Sequence, residues 1–376
     1  MKVKLLTCAT VMAILLSSQL AFAGWYEDAK SAYSRGDYAS ALLLVKPLAE
    51  QGDAKGENFL GGLYSKGQGV PQDYAEAGKW YRKAAEQGSA DGQLNLGIMY
   101  EFGDGLQQDY AEASKWFRKA AEQGDALGQY NLGQMYHFGQ GLQQDYAEAS
   151  KWFRKAAGQG SAPGQYNLGV LYYSGEGVPQ DYAEASKWYR KAAEQGDANG
   201  QVALAFAYES GQGVPQDYAE AGKWYRKAAE QGDGHGQYNL GQMYYSGQGL
   251  PQDYAEASRW FRKAGEQGYG PGQYNLGVMY YSGEGFQQNY SEASKWFRKA
   301  AEQGFARGQV NLGHMYYSGE GLRQDSVQAY MWFNLAAASE PTAEKARIAL
   351  AHLMSPEQMA EAQRLTREWV AAHPKK

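Results

Sequence analysis

Tryptophan recurs along this chain at one fixed interval. Trp80, Trp116, Trp152, Trp188, Trp224, Trp260, Trp296 and Trp332 each stand 36 residues from the next, and only Trp25 and Trp369 fall outside the series. A period of this length marks one small structural unit used repeatedly. A single such unit cannot bury its own apolar face, so neighbours must stack to form a core. A chain of 376 residues would otherwise be read as two or three globular domains. Its 48 Gly, 31 Tyr and 10 Trp reflect the repeated unit instead.

Each repeat reads as two helices. In one copy the second helix runs from Asp109 to Gly124. Asp109 is placed to cap its N-terminus, and Glu112 three residues on completes the pattern of a capping box. Gly124 is the stop. Tyr110, Ala113, Trp116, Phe117 and Ala120 share one face, while Glu112, Lys115, Arg118 and Glu122 face water, with Arg118 and Glu122 spaced as an i,i+4 pair. The first helix is predicted over Ala90–Phe102, with Leu96 and Tyr100 as an apolar i,i+4 pair. Gly97 in its middle costs about 1 kcal/mol relative to Ala. Seven of the eight repeats keep this Gly and the fifth has Ala205, so the place demands a small residue. Close approach of a neighbouring helix near the Trp is the expected compensation. Gly103-Asp104-Gly105 joins the helices with glycines that permit positive φ. Pro71, Pro179, Pro215 and Pro251 stiffen the same connection in other repeats.

The ends differ. Residues 24–52 read as a divergent opening hairpin, with helices over about 25–34 and from Asp37 to Gly52. Pro47 is expected to kink the second of these. Repeats fill 53–338. Residues 339–376 form a cap of two helices beginning near Pro341 and at Ser355-Pro356, the last carrying Met359, Ala362, Leu365 and Trp369 on one face. Residues 1–23 read as a secretory signal peptide: Lys2 and Lys4, the apolar stretch Leu5 to Leu16, and Ala21-Phe22-Ala23 before Gly24. The apolar stretch is too short to span a bilayer, and no later segment of the mature chain is long and apolar enough to do so. Cys8 lies in this leader, so the exported chain has no disulfide and must rely on packing. Loss of Lys2 and Lys4 takes the formal charge from −5 to −7, which disfavours nucleic acid and anionic membrane surfaces as partners. The expected location is periplasmic or secreted.

The repeated string, as in Gln93-Leu-Asn95-Leu-Gly97-Ile-Met99-Tyr100, then Gly103-Asp-Gly105, then Asp109-Tyr110 and Trp116-Phe-Arg-Lys-Ala-Ala121, resembles the Sel1-like repeat, a relative of the tetratricopeptide repeat. The resemblance implies an all-α fold, an α/α solenoid in which antiparallel helix pairs wind into a right-handed superhelix with the first helices on the concave side. It also implies an adaptor role in assembling protein complexes. Some copies depart from the pattern. The fifth repeat, Gln201 to Tyr208, lacks both the Asn and the Gly of the first helix. The sixth and seventh, with Asp233-Gly-His-Gly and Tyr269-Gly-Pro-Gly, are expected to have weakened helix starts. A cysteine-rich secreted branch of the family is associated with β-lactam binding or hydrolysis, but this chain lacks those cysteines.

Residues that could carry chemistry are sparse. The Gly-x-Gly loops lack the third Gly and the preceding strand of a nucleotide-binding turn. There is no Ser-x-x-Lys or Gly-x-Ser-x-Gly. His137, His235, His314, His352 and His373 have no ligand spacing. No catalytic, metal or cofactor site is expected. Arg35-Gly36-Asp37 matches an adhesive tripeptide, but Asp37 is the expected N-cap. Asn289-Tyr-Ser is a glycosylation sequon at a place where other repeats carry a capping Asp.

The remaining candidates are the first-helix positions that vary between repeats or stay polar. One row is Leu94, Tyr130, Tyr166, Val202, Tyr238, Tyr274 and Val310. A second is Glu101, His137, Tyr173, Glu209, Tyr245, Tyr281 and Tyr317. A third is Asn95, Asn131, Asn167, Asn239, Asn275 and Asn311. Asn can bridge neighbouring helices and Tyr can fill gaps between repeats. The functional alternative is that Asn binds the backbone of an extended peptide while Tyr gives flat amphipathic contacts. The expected function is a non-catalytic adaptor for a protein or peptide partner. An envelope enzyme or glycan binder, such as a β-lactam hydrolase, is the alternative.

Overall fold

The computed structural model describes residues 24–373. The proposed leader, with Cys8, lies outside the described residues. Helix α1 (residues 24–34) and α2 (Tyr38–Glu50) form the opening hairpin. Eight helix pairs follow: α3 (Ala54–Lys66) with α4 (Tyr74–Glu86), α5 (Ala90–Phe102) with α6 (Tyr110–Glu122), α7 (Ala126–Phe138) with α8 (Tyr146–Gly158), α9 (Ala162–Ser174) with α10 (Tyr182–Glu194), α11 (Ala198–Ser210) with α12 (Tyr218–Glu230), α13 (Gly234–Ser246) with α14 (Tyr254–Glu266), α15 (Gly270–Ser282) with α16 (Tyr290–Glu302), and α17 (Ala306–Ser318) with α18 (Ser326–Ala336). The first of each pair is helix A and the second helix B. Helices α19 (Pro341–Ala351) and α20 (Pro356–Ala372) close the chain. Among the described residues there is no strand; the fold is an all-α solenoid of paired helices. Two compact halves divide within α10, between Trp188 and Tyr189.

Helix ends follow the expected chemistry with some changes. The Asp109 carboxylate accepts the backbone N–H of Ala111 and Glu112. Glu112 does not reach back; it pairs with Lys115 at 2.5 Å, so this is a simple N-cap and not a capping box. The full box occurs at Ser355 and Gln358. Asp37 and Asn289 are caps as read from sequence, accepting from the N–H of Ser40 and Glu292. The sixth repeat keeps a side-chain cap at its start, where Asp233 accepts the N–H of Gly236. The seventh has no side-chain cap at Tyr269, and neither has the eighth at Phe305. Pro47 lies inside α2, which continues to Glu50.

In six of the eight repeats the glycine of helix A is seen beneath an aromatic ring of helix B. A methyl group on Gly97 would lie 2.6 Å from Phe117, and one on Gly133 2.6 Å from Phe153. The residue after the Trp, not the Trp itself, makes the close approach. The Trp instead joins successive repeats. Trp116 packs with Tyr81 of the repeat before it and with Leu96 and Met99 of its own, and Trp152 likewise with Phe117 and with Leu132 and Met135. In the C-terminal half Trp296 packs with Phe261, Leu276 and Met279 in the same way. Lys119 lies 3.8 Å from the centroid of the Trp116 ring, covering it with a cation.

Two polar ladders reinforce the stacking. Gln129 is buried; its amide donates to the Ala121 carbonyl of the repeat before, and its oxygen accepts from Gln159 of its own repeat at 2.8 Å. Gln237 and Gln267 repeat the arrangement at 2.9 Å. Arg118 donates to the Tyr136 hydroxyl of the next helix A at 2.5 Å rather than pairing with Glu122. At the C-terminal end Trp369 of α20 meets Trp332 edge-on at 6.2 Å, and Ala362 is buried, so the last helix covers the end of the core.

Candidate functional site

Helix A is 13 residues long in each repeat and has two demanding faces. Leu132, Gly133, Met135 and Gln129 of α7 are buried against helices B. The next positions round the helix are half-buried, and these are the positions of the candidate rows. Tyr130, Tyr166, Tyr238 and Tyr274, with Asn131, Asn167, Asn239, Asn275 and Asn311, all have this partial exposure. The rings of Tyr130, Tyr238 and Tyr274 lean on Phe153, Phe261 and Phe297 with centroids 5.9–6.0 Å apart.

The Asn row does several things. Asn95 donates to Asn58 at 2.9 Å, and Asn275 donates to Gln242 at 3.1 Å, each linking successive A helices. Asn167 bonds the Pro163 carbonyl of its own helix. Two members of the second row tie their helix A to the Gly-x-Gly loop of the following repeat. Tyr245 donates to Glu284 at 2.7 Å and Tyr281 to Glu320 at 2.8 Å. The bond to Glu284, added to burial, pushes the Tyr245 phenol up to about 12, so it stays a donor.

Five of the candidate residues meet in the C-terminal half. Tyr238, Asn239, Tyr245, Tyr274 and Asn275 line an open pocket of about 530 Å³, together with Glu209, Gln242, Ser246 and Gln248. In the N-terminal half Tyr130 and Asn131 line a second pocket of about 370 Å³ with Glu101, Gln134 and Gln140. Tyr317 lies apart, beside an apolar pocket of about 200 Å³ formed with Phe333, Leu350 and Leu353 at the C-terminal end. Tyr166, Asn167, Tyr173, Tyr281 and Asn311 line none of these three.

Carboxylates stand out in the two larger pockets. Burial pushes the Glu101 carboxyl above its ordinary range, with no ionised neighbour to oppose the shift. Glu209 accepts the Tyr225 hydroxyl at 2.7 Å. Burial and that bond both push the Tyr225 phenol upward, which keeps it donating. Among the described residues no cluster of side chains could hold a metal ion. The lining offers amides, hydroxyls, aromatic faces and carboxylates: groups that bind and orient.

Sequence reasoning placed Glu101 and Glu209 in a variable row without giving them a role. It missed Gln134, Gln242, Gln140 and Gln248 altogether. The signal was available, since the first two are the only Gln at their place in the repeat. Recognising it requires knowing that this place borders the same cleft as the end of the preceding helix A.

No protein of curated function matches the chain. Among solved structures it is similar to a protective antigen of uropathogenic Escherichia coli strains that displays an SLR fold. Identity is 34%, over 93% of this chain and 92% of that one, with a TM-score of 0.52. It is also similar to a Sel1 repeat protein from Oxalobacter formigenes, at 34% identity over 64% of this chain and 96% of that one, with a TM-score of 0.60. The family description "Sel1 repeat" matches eight consecutive segments, 54–89, 90–125, 126–161, 162–197, 198–233, 234–269, 270–305 and 306–340. Those segments coincide with the eight helix pairs, and the chain belongs to the Sel1-repeat family.

Proposed function

We propose that this protein is a non-catalytic adaptor of the cell envelope or secreted fraction, and that it holds a peptide or protein partner on its helix-A face. Sel1-repeat proteins are in general interaction scaffolds. The observation that carries the reading here is the pocket where Tyr238, Asn239, Tyr274 and Asn275 converge. Packing positions such as the Trp, the Gly and the buried Gln barely change between repeats. Around this pocket the Tyr–Asn pair recurs in several repeats, whereas Glu209 and Gln242 stand at places that most repeats fill with other residues, as expected of a surface shaped for a ligand. Half-buried Tyr rings give contact area at low entropic cost, and Asn and Gln amides match the donors and acceptors of a peptide backbone. Export is supported by the character of residues 1–23 and by the likeness to a bacterial protective antigen. Among the described residues no helix is long and apolar enough to cross a membrane.

The test is affinity capture from the envelope fraction of the native host, comparing the wild-type chain with Tyr238→Ala/Asn239→Ala/Tyr274→Ala. Loss of a co-purifying protein with unchanged helicity is the expected result. An identical set of captured proteins refutes the helix-A assignment. Tyr245 and Tyr281 are poorer choices, because each also ties its helix to the next repeat.

A further inference from the structure

We propose that the chain carries two copies of one binding pocket, one in each compact half, and that each takes a cationic side chain of the partner, an arginine guanidinium above all. This rests on the helix-A face being the partner surface. The pocket of the N-terminal half is lined by Glu101, Tyr130, Asn131, Gln134 and Gln140. That of the C-terminal half is lined by Glu209, Tyr238, Asn239, Gln242 and Gln248. Each residue of the second set lies 108 positions, or three repeats, after its identical counterpart in the first. No other adjacent pair of repeats joins a Glu at the end of one helix A to a Gln at this place in the next. The packing of the repeat does not require the combination, since six repeats do without that Glu.

In the sixth and seventh repeats the end of helix A carries Tyr, which donates to a Glu in the following Gly-x-Gly loop, so the carboxylate there is already engaged. Where Glu101 and Glu209 stand there instead, the loop residues are Gln140 and Gln248, and Glu and Gln line the pocket together. One internal bond matches as well, although in the second pocket Glu209 also accepts the Tyr225 hydroxyl and Gln242 the Asn275 amide. Gln134 donates to the Tyr130 hydroxyl at 2.9 Å, and Gln242 to the Tyr238 hydroxyl at 3.1 Å. Two acceptors in the first pocket lack donors. The Oε1 of Gln134 is buried without a hydrogen-bond partner, and the half-buried Glu101 carboxylate has no cation beside it. Unmet buried acceptors cost free energy that a donor-rich ligand recovers. No Lys, Arg or His lines either pocket. A guanidinium supplies several N–H donors in a plane, neutralises the carboxylate and stacks on a tyrosine face. A neutral sugar would supply hydroxyls but leave the carboxylate charge uncompensated.

The experiment is calorimetric or NMR titration of the full chain, at low ionic strength, with the capped tripeptide Gly-Arg-Gly taken into the millimolar range. The capped Gly-citrulline-Gly, equal in shape but uncharged, is the control. Two equivalents of the arginine peptide are expected to bind, and the citrulline peptide at least about tenfold more weakly. Glu101→Gln and Glu209→Gln, which preserve shape, are each expected to remove one equivalent, and the double variant both. Stoichiometry of one or zero, equal binding of the citrulline peptide, or binding unaffected by the Glu substitutions overturns the proposal. So does glutamate-dependent binding of an N-acetylglucosamine oligomer with no response to arginine. The adaptor reading fails separately: arginine peptide bound at two sites while partner capture ignores the pocket residues would sink that reading and leave the sites standing.

Discussion

Replacing Gly133 with Ala tests the packing logic of the repeat through the sign of its effect. Gly133 lies in the middle of α7, where Ala should stabilise the helix by about 1 kcal/mol if nothing opposed it. A methyl group there would sit 2.6 Å from two carbons of the Phe153 ring, about 1 Å inside ordinary contact. The ring is fully buried and has little room to retreat. Overpacking of this kind costs about 1–3 kcal/mol. The fifth repeat shows that the place can adapt, since Ala205 coexists with a buried Tyr225 anchored to Glu209. The net expectation is therefore destabilisation of up to about 2 kcal/mol, after the helix gain is subtracted. Gly158→Ala is the internal control. It lies at the end of α8 with nothing within 4 Å of the added methyl, and should stabilise by up to about 1 kcal/mol. Both are read from urea unfolding followed by circular dichroism, with the slope checked because long arrays lose two-state behaviour. Trimming the ring by Phe153→Leu in the Gly133→Ala background should recover part of the loss, a coupling that a double-mutant cycle isolates. If Gly133→Ala stabilises as much as Gly158→Ala, close approach is not why the glycine is there.

Trp152→Ala should cost about 3–5 kcal/mol and loosen hydrogen-exchange protection mainly in its own and the preceding repeat; a loss below about 1 kcal/mol would mean the ring is not a core element. Gln129→Ala removes two hydrogen bonds, one to the Ala121 carbonyl and one from the Gln159 amide, each of which keeps a bond to Gly124, and should cost about 1–3 kcal/mol in the same unfolding assay. Burial holds the imidazoles of His137 and His314 below their ordinary pKa, for His137 despite the opposing charge of Glu176. The folded state therefore binds fewer protons than the unfolded one, and this stability is present above about pH 6.5 and lost as the pH falls below it. His137→Asn should flatten the decline in urea midpoint between about pH 7 and pH 5, and an unchanged slope would count against the assignment.

The sequence by itself determined the fold. The Trp period gave the repeat, Asp before Tyr gave the helix-B starts, and the glycines gave the stops, because caps and turns are local and depend on neighbours in the chain. It also placed most of the candidate face, since helix geometry turns a row of equivalent positions into a stripe. What it could not decide were contacts between residues far apart in the chain. Gly97 was expected against the Trp, yet it meets Phe117, one residue further, because rotation by one residue on helix B swings a side chain by about 100° from one repeat to its neighbour. Spacing paired Arg118 with Glu122 on its own helix, and only packing brings the Tyr136 hydroxyl of the next helix A into reach instead. The Trp ladder remains the feature that specifies stacking. The two Glu–Gln pockets become visible only when the end of one helix A and the middle of the next are brought side by side, and that proximity is a property of the stacked repeats and of no single one.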